Sequence, residues 1–456
     1  MEVPAERKGI EVKANNCPEL TPTFVPFEVL IVRMNNKPTK SIALISVHGD
    51  PAVEIGKEEA GGQNVYVRHV GEELARQGWK VDMFTRASGA HQPRIVEHAP
   101  NCRTIRLVAG PEEFVPRDEI FGYRHQFVEA LLKFKEKEGL DYSLIHTNYW
   151  ISGWVGLELK RRLSLPVVHT YHSLGAVKYK SVSTIPMIAS TRLKVEKDCL
   201  ETDDCIVATS PQEQEHMRSL VSAKGKIKII PCGTDIEHFG GIDREEARVL
   251  LGFESDAKVV LYVGRFDKRK GIETLVRAVN ASEWRDDPRL KLVIGGGSRP
   301  GQSDGIERER IERIVNELGL AEKTLFPGRI GDRELPIYYA AADVCVVPSH
   351  YEPFGLVAIE AMASGTPVIA SDVGGLQFTV VSEETGLLAP PKDFESFAVA
   401  IDRILSNPEW RDFLGRNARK RVEKKFSWKG VASQLGTLYA QLIEETEAVP
   451  LGSVSA

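Results

Sequence analysis

The stretch Asp343-Val344-Cys345-Val346-Val347-Pro348-Ser349, followed closely by Glu352-Pro353-Phe354-Gly355-Leu356-Val357-Ala358-Ile359-Glu360, decides the fold of this chain. Its first part is short, apolar and rich in β-branched residues, which is typical of a buried parallel strand. The chain then turns at Pro353 and Gly355 and enters a helix. We therefore expect Glu352 in the loop at the carboxyl end of a strand, and Glu360 within the helix that follows.

Two glutamates at this spacing are common, and a glutamate on a helix is usually solvated. The surroundings favour a function here. Pro353, Phe354 and Gly355 predict a rigid turn, and Gly365-Thr366-Pro367-Val368-Ile369-Ala370-Ser371-Asp372 predicts the next strand. In open α/β sheets the crevice at the carboxyl ends of the strands holds ligands, and a helix N-terminus there offers backbone N–H groups to a phosphate.

A second motif follows the predicted strand Lys258–Val263. It is Gly264-Arg265-Phe266-Asp267-Lys268-Arg269-Lys270-Gly271, a G-R-x-x-x-x-K-G pattern. A diphosphate leaving group gains charge as its bond to a sugar breaks, and an Arg fork with a Lys point charge can neutralise that charge. The alternative for Arg265 and Lys270 is a solvated basic loop.

Together, the E-x7-E pattern after an apolar strand and the following G-x-P-V-I-A-S segment resemble the retaining glycosyltransferases of family 4. The resemblance covers residues 40–445. It implies the GT-B fold, an α/β architecture in which two Rossmann-like, doubly wound parallel-sheet domains face an interdomain cleft.

Length and composition agree with two domains. A chain of 456 residues predicts two cores of roughly 200 residues each. The 59 Lys and Arg against 64 Asp and Glu give a net charge of −5, so no basic excess indicates nucleic acid as a partner. No apolar run reaches the ~18 residues of a membrane helix, so no membrane partner is expected.

The cysteines and the N-terminus predict a cytoplasmic protein. The six cysteines are scattered without metal-ligand spacing, which is typical of reduced structural thiols. The segment Met1–Thr23 lacks the apolar core of a signal peptide.

Short apolar runs separated by helical stretches predict the domain organisation. Residues 1–40 form a polar lead-in of unknown role that contains an apolar run, Phe27–Val32. Residues 41–239 with 430–456 form the predicted acceptor-binding domain, to which the last helix crosses back. Residues 240–429 form the predicted nucleotide-sugar-binding domain, and 231–241 is the linker. The tail from Ala448 is expected to be disordered.

In the first domain, Gly61-Gly62-Gln63 follows the strand Ser41–Val47 and opens a helix. A plain loop is one interpretation. The other is a close backbone approach to a ligand, although this is not the dinucleotide fingerprint G-x-G-x-x-G. The family resemblance places the backbone of Gly61 and Gly62 at the donor–acceptor boundary near the sugar-nucleotide phosphate, with Gln63 reaching the acceptor.

Polar residues also follow the predicted strand Pro166–Thr170, where His172-Ser173-Leu174-Gly175 begins. A lone histidine there is often a satisfied loop residue. The resemblance implies that His172 binds the transferred sugar. Arg117, Lys178 and Arg192 are spaced so that they could present cations to an acceptor phosphate, or they are surface charges.

The resemblance further implies catalytic roles for Glu352, His172, Arg265 and Lys270. It assigns Glu352 to the hydroxyls of the sugar, Glu360 to the ribose, and the segment around Arg329 and Ile330 to the base. The remaining donor-binding positions are Gly62, Phe354, Gly355, Leu356 and Val357. No metal is expected, and the nucleotide sugar is a co-substrate.

His-Ser-Leu-Gly and the segment Ser46-Val47-His48-Gly49-Asp50 resemble the sucrose-phosphate synthases, the branch of the family that uses fructose 6-phosphate. The implied reaction moves glucose from UDP-glucose, or from ADP- or GDP-glucose, to that acceptor with retention. It yields sucrose 6-phosphate, on which a separate phosphatase would act. Three alternatives remain open as enzymes: sucrose synthase, an inositol-phosphate glycosyltransferase and a sugar-nucleotide epimerase. A non-catalytic sugar-binding module is a fourth.

Overall fold

The structure is a computed structural model that describes residues 40–53, 61–181 and 184–448. The predicted lead-in, its apolar run and residues 449–456 of the predicted tail lie outside these ranges. Within them, no helix has both the length and the apolar character that a membrane crossing requires.

The described ranges contain two β-sheets. The strands of the first are β1 (Ser41–Ile45), β2 (Lys80–Arg86), β3 (Ile95–Ala99), β4 (Cys102–Leu107), β5 (Leu144–Asn148), β6 (Val167–Thr170), β7 (Cys205–Ala208) and β8 (Ile227–Ile229). Those of the second are β9 (Lys258–Val263), β10 (Leu290–Gly295), β11 (Thr324–Gly328), β12 (Val344–Val347), β13 (Val368–Ser371) and β14 (Gly386–Ala389).

Helices alternate with these strands. They are α1 (Gly62–Arg76), α2 (Arg117–Ile120), α3 (Arg124–Lys137), α4 (Trp150–Leu163), α5 (Gly175–Lys178), α6 (Ala189–Thr202), α7 (Pro211–Leu220), α8 (Ile236–Phe239), α9 (Arg244–Leu251), α10 (Ile272–Ala281), α11 (Ser303–Glu317), α12 (Leu335–Ala341), α13 (Leu356–Ala363), α14 (Leu376–Thr379), α15 (Phe394–Ser406), α16 (Pro408–Lys425) and α17 (Trp428–Glu447).

Both sheets are doubly wound. The first has the order β3-β4-β2-β1-β5-β6-β7-β8, and the second has the order β11-β10-β9-β12-β13-β14. All pairings are parallel except that of β3 with β4. Parallel strands must be covered on both faces, and β5, β6 and β7 are buried along their whole length. The carboxyl ends of the strands in each sheet therefore share one edge.

The last long helix, α17, belongs to the same core as the first sheet. Its Leu435 and Tyr439 are buried together with Ile42 and Leu44 of β1. The Tyr439 hydroxyl also lies 2.5 Å from Nδ1 of the fully buried His146 in β5. Burial of apolar side chains from both ends of the chain thus holds α17 to the first sheet.

The α/β class with two parallel sheets is confirmed. The structure adds two strands that the sequence did not predict, β3 and β14, and it places a short helix, α8, in the predicted linker. The boundaries at residues 239 and 430 stay a prediction.

Candidate active site

A cavity of about 570 Å³ lies where loops from the carboxyl ends of both sheets meet. We call its two sides the first-sheet wall and the second-sheet wall. The first-sheet wall consists of His48, Gly61, Gly62, Gln63, Asn64, Arg117, Tyr149, His172, Ser173 and Lys178. The second-sheet wall consists of Arg265, Asp267, Arg269, Lys270, Tyr351, Glu352, Pro353, Phe354, Gly355, Leu356 and Val357. Cys232 also lines the cavity.

An ion pair dominates the second-sheet wall. Lys270 Nζ lies 2.5 Å from Glu352 Oε2, and the Ser349 hydroxyl lies 3.5 Å from the same oxygen. The two predicted motifs, separated by 82 residues in sequence, therefore meet at one point of the cavity. After Glu352, Gly355 adopts φ +97°, a left-handed conformation that turns the chain into α13.

Glu360 lies in α13, beneath this wall and outside the cavity lining. The Tyr339 hydroxyl donates a hydrogen bond to its Oε2 over 2.8 Å. Burial raises the pKa of Glu360 to about 7. The carboxylate therefore changes its protonation state near neutral pH.

The other site residues predicted in the second domain, Arg265, Arg329 and Ile330, differ in how far they are buried. Arg265 is exposed on the cavity wall, whereas Ile330 is buried against the Gly295 turn and Arg329 is exposed beside Gly297. Neither Arg329 nor Ile330 lines the cavity. The structure therefore places these two residues at a separate part of the same strand-end edge.

On the first-sheet wall, His172 lies with its Nε2 2.9 Å from Oδ1 of Asn148. The Asn148 amide donates to the carbonyl of Ile45, so its oxygen faces the imidazole and Nε2 carries the proton. Burial lowers the pKa of His172 to about 3. His172 is therefore neutral at physiological pH, with Nδ1 as a hydrogen-bond acceptor.

Two residues of this wall have strained backbones. His172 has φ +57° and Tyr149 has φ +74°. Non-glycine residues seldom adopt such values, and they concentrate at functional sites where the surrounding structure enforces them.

Several cationic side chains lie close together at the first-sheet wall. Lys178 and Arg117 line the cavity. The pKa of Lys178 is lowered to about 8 by burial, and after that by the positive charges of Arg117, Arg192 and Arg269. The carboxylates that line the cavity belong to Asp267 and Glu352, and both lie on the second-sheet wall.

The sequence predicted that Arg192 presents its charge to an acceptor phosphate in the cavity. In the structure its side chain does not reach the cavity surface. Its side chain is 2% exposed, because it forms a buried ion pair over 2.7 Å with Glu196, one helical turn away on α6. It also donates to the Tyr149 hydroxyl over 3.2 Å and to the Ser173 carbonyl oxygen. Arg192 thus supports two residues of the wall from behind.

Two helix N-termini open onto the cavity, those of α1 at Gly62 and of α13 at Leu356. Each offers backbone N–H groups that attract an anion. The neighbouring Gln63 amide donates to the Ser46 hydroxyl over 2.9 Å and to the Asn148 carbonyl over 3.3 Å. The arrangement can accommodate phosphate groups on both sides of a bound sugar.

His48, Tyr149 and Tyr351 also line the cavity, although the sequence did not predict them as site residues. The Nδ1 atom of His48 is buried and has no hydrogen-bond partner among the described residues, and its ring packs on Tyr149 at a centroid distance of 4.5 Å. His48 directly follows the predicted strand Ser41–Val47 and lies in the loop after β1, where functional side chains gather, and this position is the signal that could have identified it.

Among the described residues, one group of side chains has the donor atoms for a metal. It consists of His169, Cys199 and Asp203, which are buried away from the cavity lining. The cavity itself presents Arg and Lys where a metal-dependent transferase would need a carboxylate cluster. The absence of a metal requirement stays a prediction.

Two family models match the chain. The model described as Glycosyltransferase Family 4 matches residues 60–238, and the model described as Glycosyl transferases group 1 matches residues 243–421. The D-inositol 3-phosphate glycosyltransferase of Corynebacterium efficiens is 37% identical over 88% of this chain and 95% of that protein. The one from Corynebacterium glutamicum is 38% identical over 88% and 97%.

Among solved structures, a sucrose-phosphate synthase from Thermosynechococcus elongatus is 53% identical, with a TM-score of 0.82 over 89% of this chain and 100% of that one. An Anabaena protein, HepE, solved with UDP and glucose, matches with a TM-score of 0.70 at 20% identity over 88% of this chain and all of the other. That second likeness concerns the fold alone.

Proposed function

This chain belongs to the family 4 glycosyltransferases and has their GT-B fold, and from that premise we propose that it transfers glucose from UDP-glucose to fructose 6-phosphate. The products are sucrose 6-phosphate and UDP. The observation that carries the proposal is the 53% identity to a sucrose-phosphate synthase over 89% of the chain. The cations at the first-sheet wall support a phosphorylated acceptor.

In this proposal the second-sheet wall binds the donor. Arg265 and Lys270 stabilise the charge that grows on the leaving diphosphate, and Glu352 binds hydroxyls of the glucose. The short contact between Lys270 and Glu352 holds both groups in position before the donor arrives. Glu360 accepts hydrogen bonds from the ribose, and the segment at Arg329 and Ile330 flanks the base.

The first-sheet wall binds the acceptor. Arg117 and Lys178 contact the 6-phosphate, and Gln63 contacts the sugar. Arg192 contributes its charge from behind and holds Tyr149 and Ser173 in place. A phosphate between cations in a partly enclosed cleft gains more than a hydroxyl at the same place, because charge-assisted hydrogen bonds are the stronger ones.

The proposed stereochemistry is retention. The acceptor hydroxyl attacks on the face from which the diphosphate departs, and a phosphate oxygen of the donor takes the proton. His172, neutral because burial lowers its pKa to about 3, positions the sugar through Nδ1. We expect His172→Ala to lower turnover severely without accumulation of an intermediate. An inverted product or a covalent glycosyl-enzyme contradicts this mechanism.

A second candidate is transfer to an inositol phosphate. Curated relatives with 36–38% identity over most of their length are D-inositol 3-phosphate glycosyltransferases. Such an acceptor would use the same cations, because it also presents a phosphate near a hydroxyl nucleophile. The two candidates differ in the ring that the first-sheet wall must accommodate.

The deciding experiment measures release of nucleoside diphosphate. Its acceptors are fructose 6-phosphate, fructose, inositol 3-phosphate and inositol, each combined with UDP-, ADP- and GDP-glucose. We expect turnover with fructose 6-phosphate to exceed that with free fructose by orders of magnitude. Comparable rates with both favour sucrose synthase, and activity with inositol 3-phosphate alone favours the second candidate.

A metal chelator tests the electrostatic part of the proposal. Since Arg265 and Lys270 supply the positive charge, we expect EDTA to leave turnover unchanged. Loss of activity in EDTA and its recovery with Mg²⁺ contradict this role. Because the product retains the acceptor phosphate, we also propose that a separate phosphatase removes it.

A further inference from the structure

A second cavity, of about 550 Å³, lies on the far side of the turn that carries Lys270. We call it the basic pocket. It is lined by Lys268, Arg269, Gly271, Glu273, Thr274, Arg277, Arg310, His350, Lys392 and Phe394. Of the residues that line the two cavities, Arg269 alone belongs to both. The basic pocket is therefore separate from the active-site cleft and shares one wall with it.

The charge of this pocket is strongly unbalanced. Its lining contains five cationic side chains and one carboxylate, that of Glu273, in a protein whose net charge is −5. Glu273 is held by two arginines, with Arg277 Nε 2.9 Å from Oε1 and Arg310 Nη1 2.6 Å from Oε2. Asp267 and Glu307 pair with Arg269 and Arg310 from outside the lining. Lys268 and Lys392 remain as uncompensated charges within the described residues.

The backbone adds to the same field. Helix α10 begins at Ile272, and its N-cap residue Gly271 and its first-turn residue Thr274 line the pocket; α15 begins at the pocket residue Phe394. The N-terminus of α10, which has no side-chain cap, adds partial positive charge at the cavity, whereas that of α15 is capped by the Asp393 carboxylate.

Two residues of the pocket have an energetically unfavourable feature, one in its backbone and one in its side chain. Lys392 has φ +68°, a conformation that strains a non-glycine residue and is retained where the structure enforces it. The Nε2 atom of His350 is buried and lacks a hydrogen-bond partner among the described residues. Cationic side chains and the N-terminus of α10 converge on one cavity, and this arrangement favours a ligand rich in oxygen acceptors.

We propose that the basic pocket is a second ligand site, which binds a small molecule bearing a phosphate group. Its volume accommodates an anion as large as a sugar phosphate. The site lies beside the catalytic turn because Gly271, at φ +69°, packs so tightly that a Cβ there would lie 2.0 Å from the Pro348 carbonyl. The His350 amide also donates to the Arg269 carbonyl over 2.7 Å. A ligand in the pocket thus contacts the segments that position Lys270 and Glu352.

Calorimetric titration with inorganic phosphate, at constant ionic strength in chloride and with UDP present, tests the proposal. The test variant is Lys268→Ala with Lys392→Asn, since asparagine tolerates the left-handed conformation. We expect its dissociation constant for phosphate to be at least about tenfold higher than that of the unmodified protein, because two charge-assisted contacts are lost. Lys420→Asn, an exposed lysine on α16, is the matched control and stays unchanged.

Lys178→Ala distinguishes this pocket from the cleft. If the basic pocket binds phosphate, that variant retains the affinity of the unmodified protein. Binding that Lys178→Ala abolishes and the double variant preserves overturns the proposal, as does the absence of saturable binding at millimolar phosphate. Repeating the titrations with fructose 6-phosphate distinguishes a site that binds free phosphate from a site that binds a sugar phosphate. Neither readout requires glycosyl transfer, so the proposal is tested independently of the enzyme's substrate.

Footprinting of the unmodified protein provides a second measurement. Phosphate is expected to slow acetylation of Lys268 and Lys392 and to leave that of Lys420 unaffected. Equal protection of all three lysines contradicts a specific site.

Discussion

The two walls of the cleft balance their charges in different ways. On the second-sheet wall, Lys270 and Glu352 neutralise each other over 2.5 Å, and Arg269 pairs with Asp267. On the first-sheet wall, Arg117 and Lys178 line the cavity without a carboxylate among the lining residues of that wall. The pKa of Lys178 is lowered to about 8 by burial and by neighbouring positive charges.

This difference indicates what each wall needs from a ligand. On the second-sheet wall two of the three cations are already paired with carboxylates, and Arg265, which belongs to neither pair, can respond to charge that develops during a reaction. The first-sheet wall favours an anion, because burial and the neighbouring charges of Arg117, Arg192 and Arg269 disfavour the positive charge of Lys178. One wall is therefore suited to stabilising a transition state, and the other to selecting a phosphorylated substrate.

The largest expected effect concerns the support behind the first-sheet wall. Arg192→Ala leaves Glu196 as an unpaired charge at 0% exposure, so we expect a loss of about 3–5 kcal/mol in the free energy of unfolding, measured by urea denaturation. Lys194→Ala, on the same helix but exposed, is the control and changes stability by less than about 0.5 kcal/mol. Unchanged stability in Arg192→Ala would show that its ion pair with Glu196 has no structural role.

The next effect tests whether the second-sheet wall stabilises the transition state. Lys270→Ala removes the cation beside Glu352, so turnover is expected to fall about 10²- to 10³-fold, whereas the KM for UDP-glucose changes less. Steady-state kinetics with both substrates varied give the two constants. Lys424→Ala, an exposed lysine on α16, is the control. Near-normal turnover in Lys270→Ala excludes the proposed role.

A smaller effect tests whether the first-sheet wall selects the acceptor. Lys178→Ala should raise the KM for fructose 6-phosphate about tenfold or more, because a charge-assisted contact to the phosphate is lost. The KM for UDP-glucose should stay constant, and the gap between fructose 6-phosphate and fructose should narrow. Lys180→Ala, two residues along and exposed, should change neither constant. A parallel rise of both KM values would mean that Lys178 does not distinguish the substrates.

The smallest expected effects concern how the two KM values depend on pH. The KM for UDP-glucose should rise as the pH falls, and the KM for fructose 6-phosphate should rise as the pH increases. Glu360, with its pKa raised to about 7 by burial, loses its charge as the pH falls below 7. The KM for UDP-glucose should then rise about fivefold, since a charge-assisted hydrogen bond exceeds a neutral one by about 1 kcal/mol. Glu360→Gln should remove this acidic dependence. A KM that stays constant between pH 8 and pH 6 contradicts the ribose contact.

Lys178, with its pKa lowered to about 8, loses its charge as the pH rises above 8. The KM for fructose 6-phosphate should therefore rise in mildly alkaline solution, where an ordinary lysine is still charged. Lys178→Arg should abolish that rise, because an arginine stays protonated. If the KM of Lys178→Arg for fructose 6-phosphate rises in the same way at alkaline pH, a group other than Lys178 causes the rise.

The sequence predicted the second-sheet wall better than the first for a physical reason. The motifs of that wall are contiguous: Arg265 and Lys270 lie in one turn, and Glu352 and Glu360 in one strand–turn–helix segment. Local spacing therefore determines the geometry within each motif, whereas the contact of Lys270 with Glu352 depends on the pairing of β9 with β12.

The first-sheet wall gathers residues from the ends of separate strands. His48 and Tyr149 meet because β1 pairs with β5, and this pairing is not encoded in local spacing. Arg192 was misplaced because it is buried with Glu196 on the same helix, α6, and the sequence shows their charges but not that this side of α6 faces the core.

The two unpredicted strands carry weak sequence signals. Strand β3 is a partly exposed edge strand in which Glu97 and His98 interrupt the apolar pattern. Strand β14 is only Gly386–Ala389 and has no β-branched residue.

The packing of α17 on the first sheet also affects how this protein is synthesised. Tyr439 and the histidine that it contacts, His146, are 293 residues apart. At 5–20 residues per second, a ribosome needs about 15–60 s to make that interval. During this time the apolar surface that Leu435 and Tyr439 will cover on the first sheet is left without α17. The first sheet can therefore reach its final packing only after α17 has been made, and until then this apolar surface of the nascent chain is prone to aggregation.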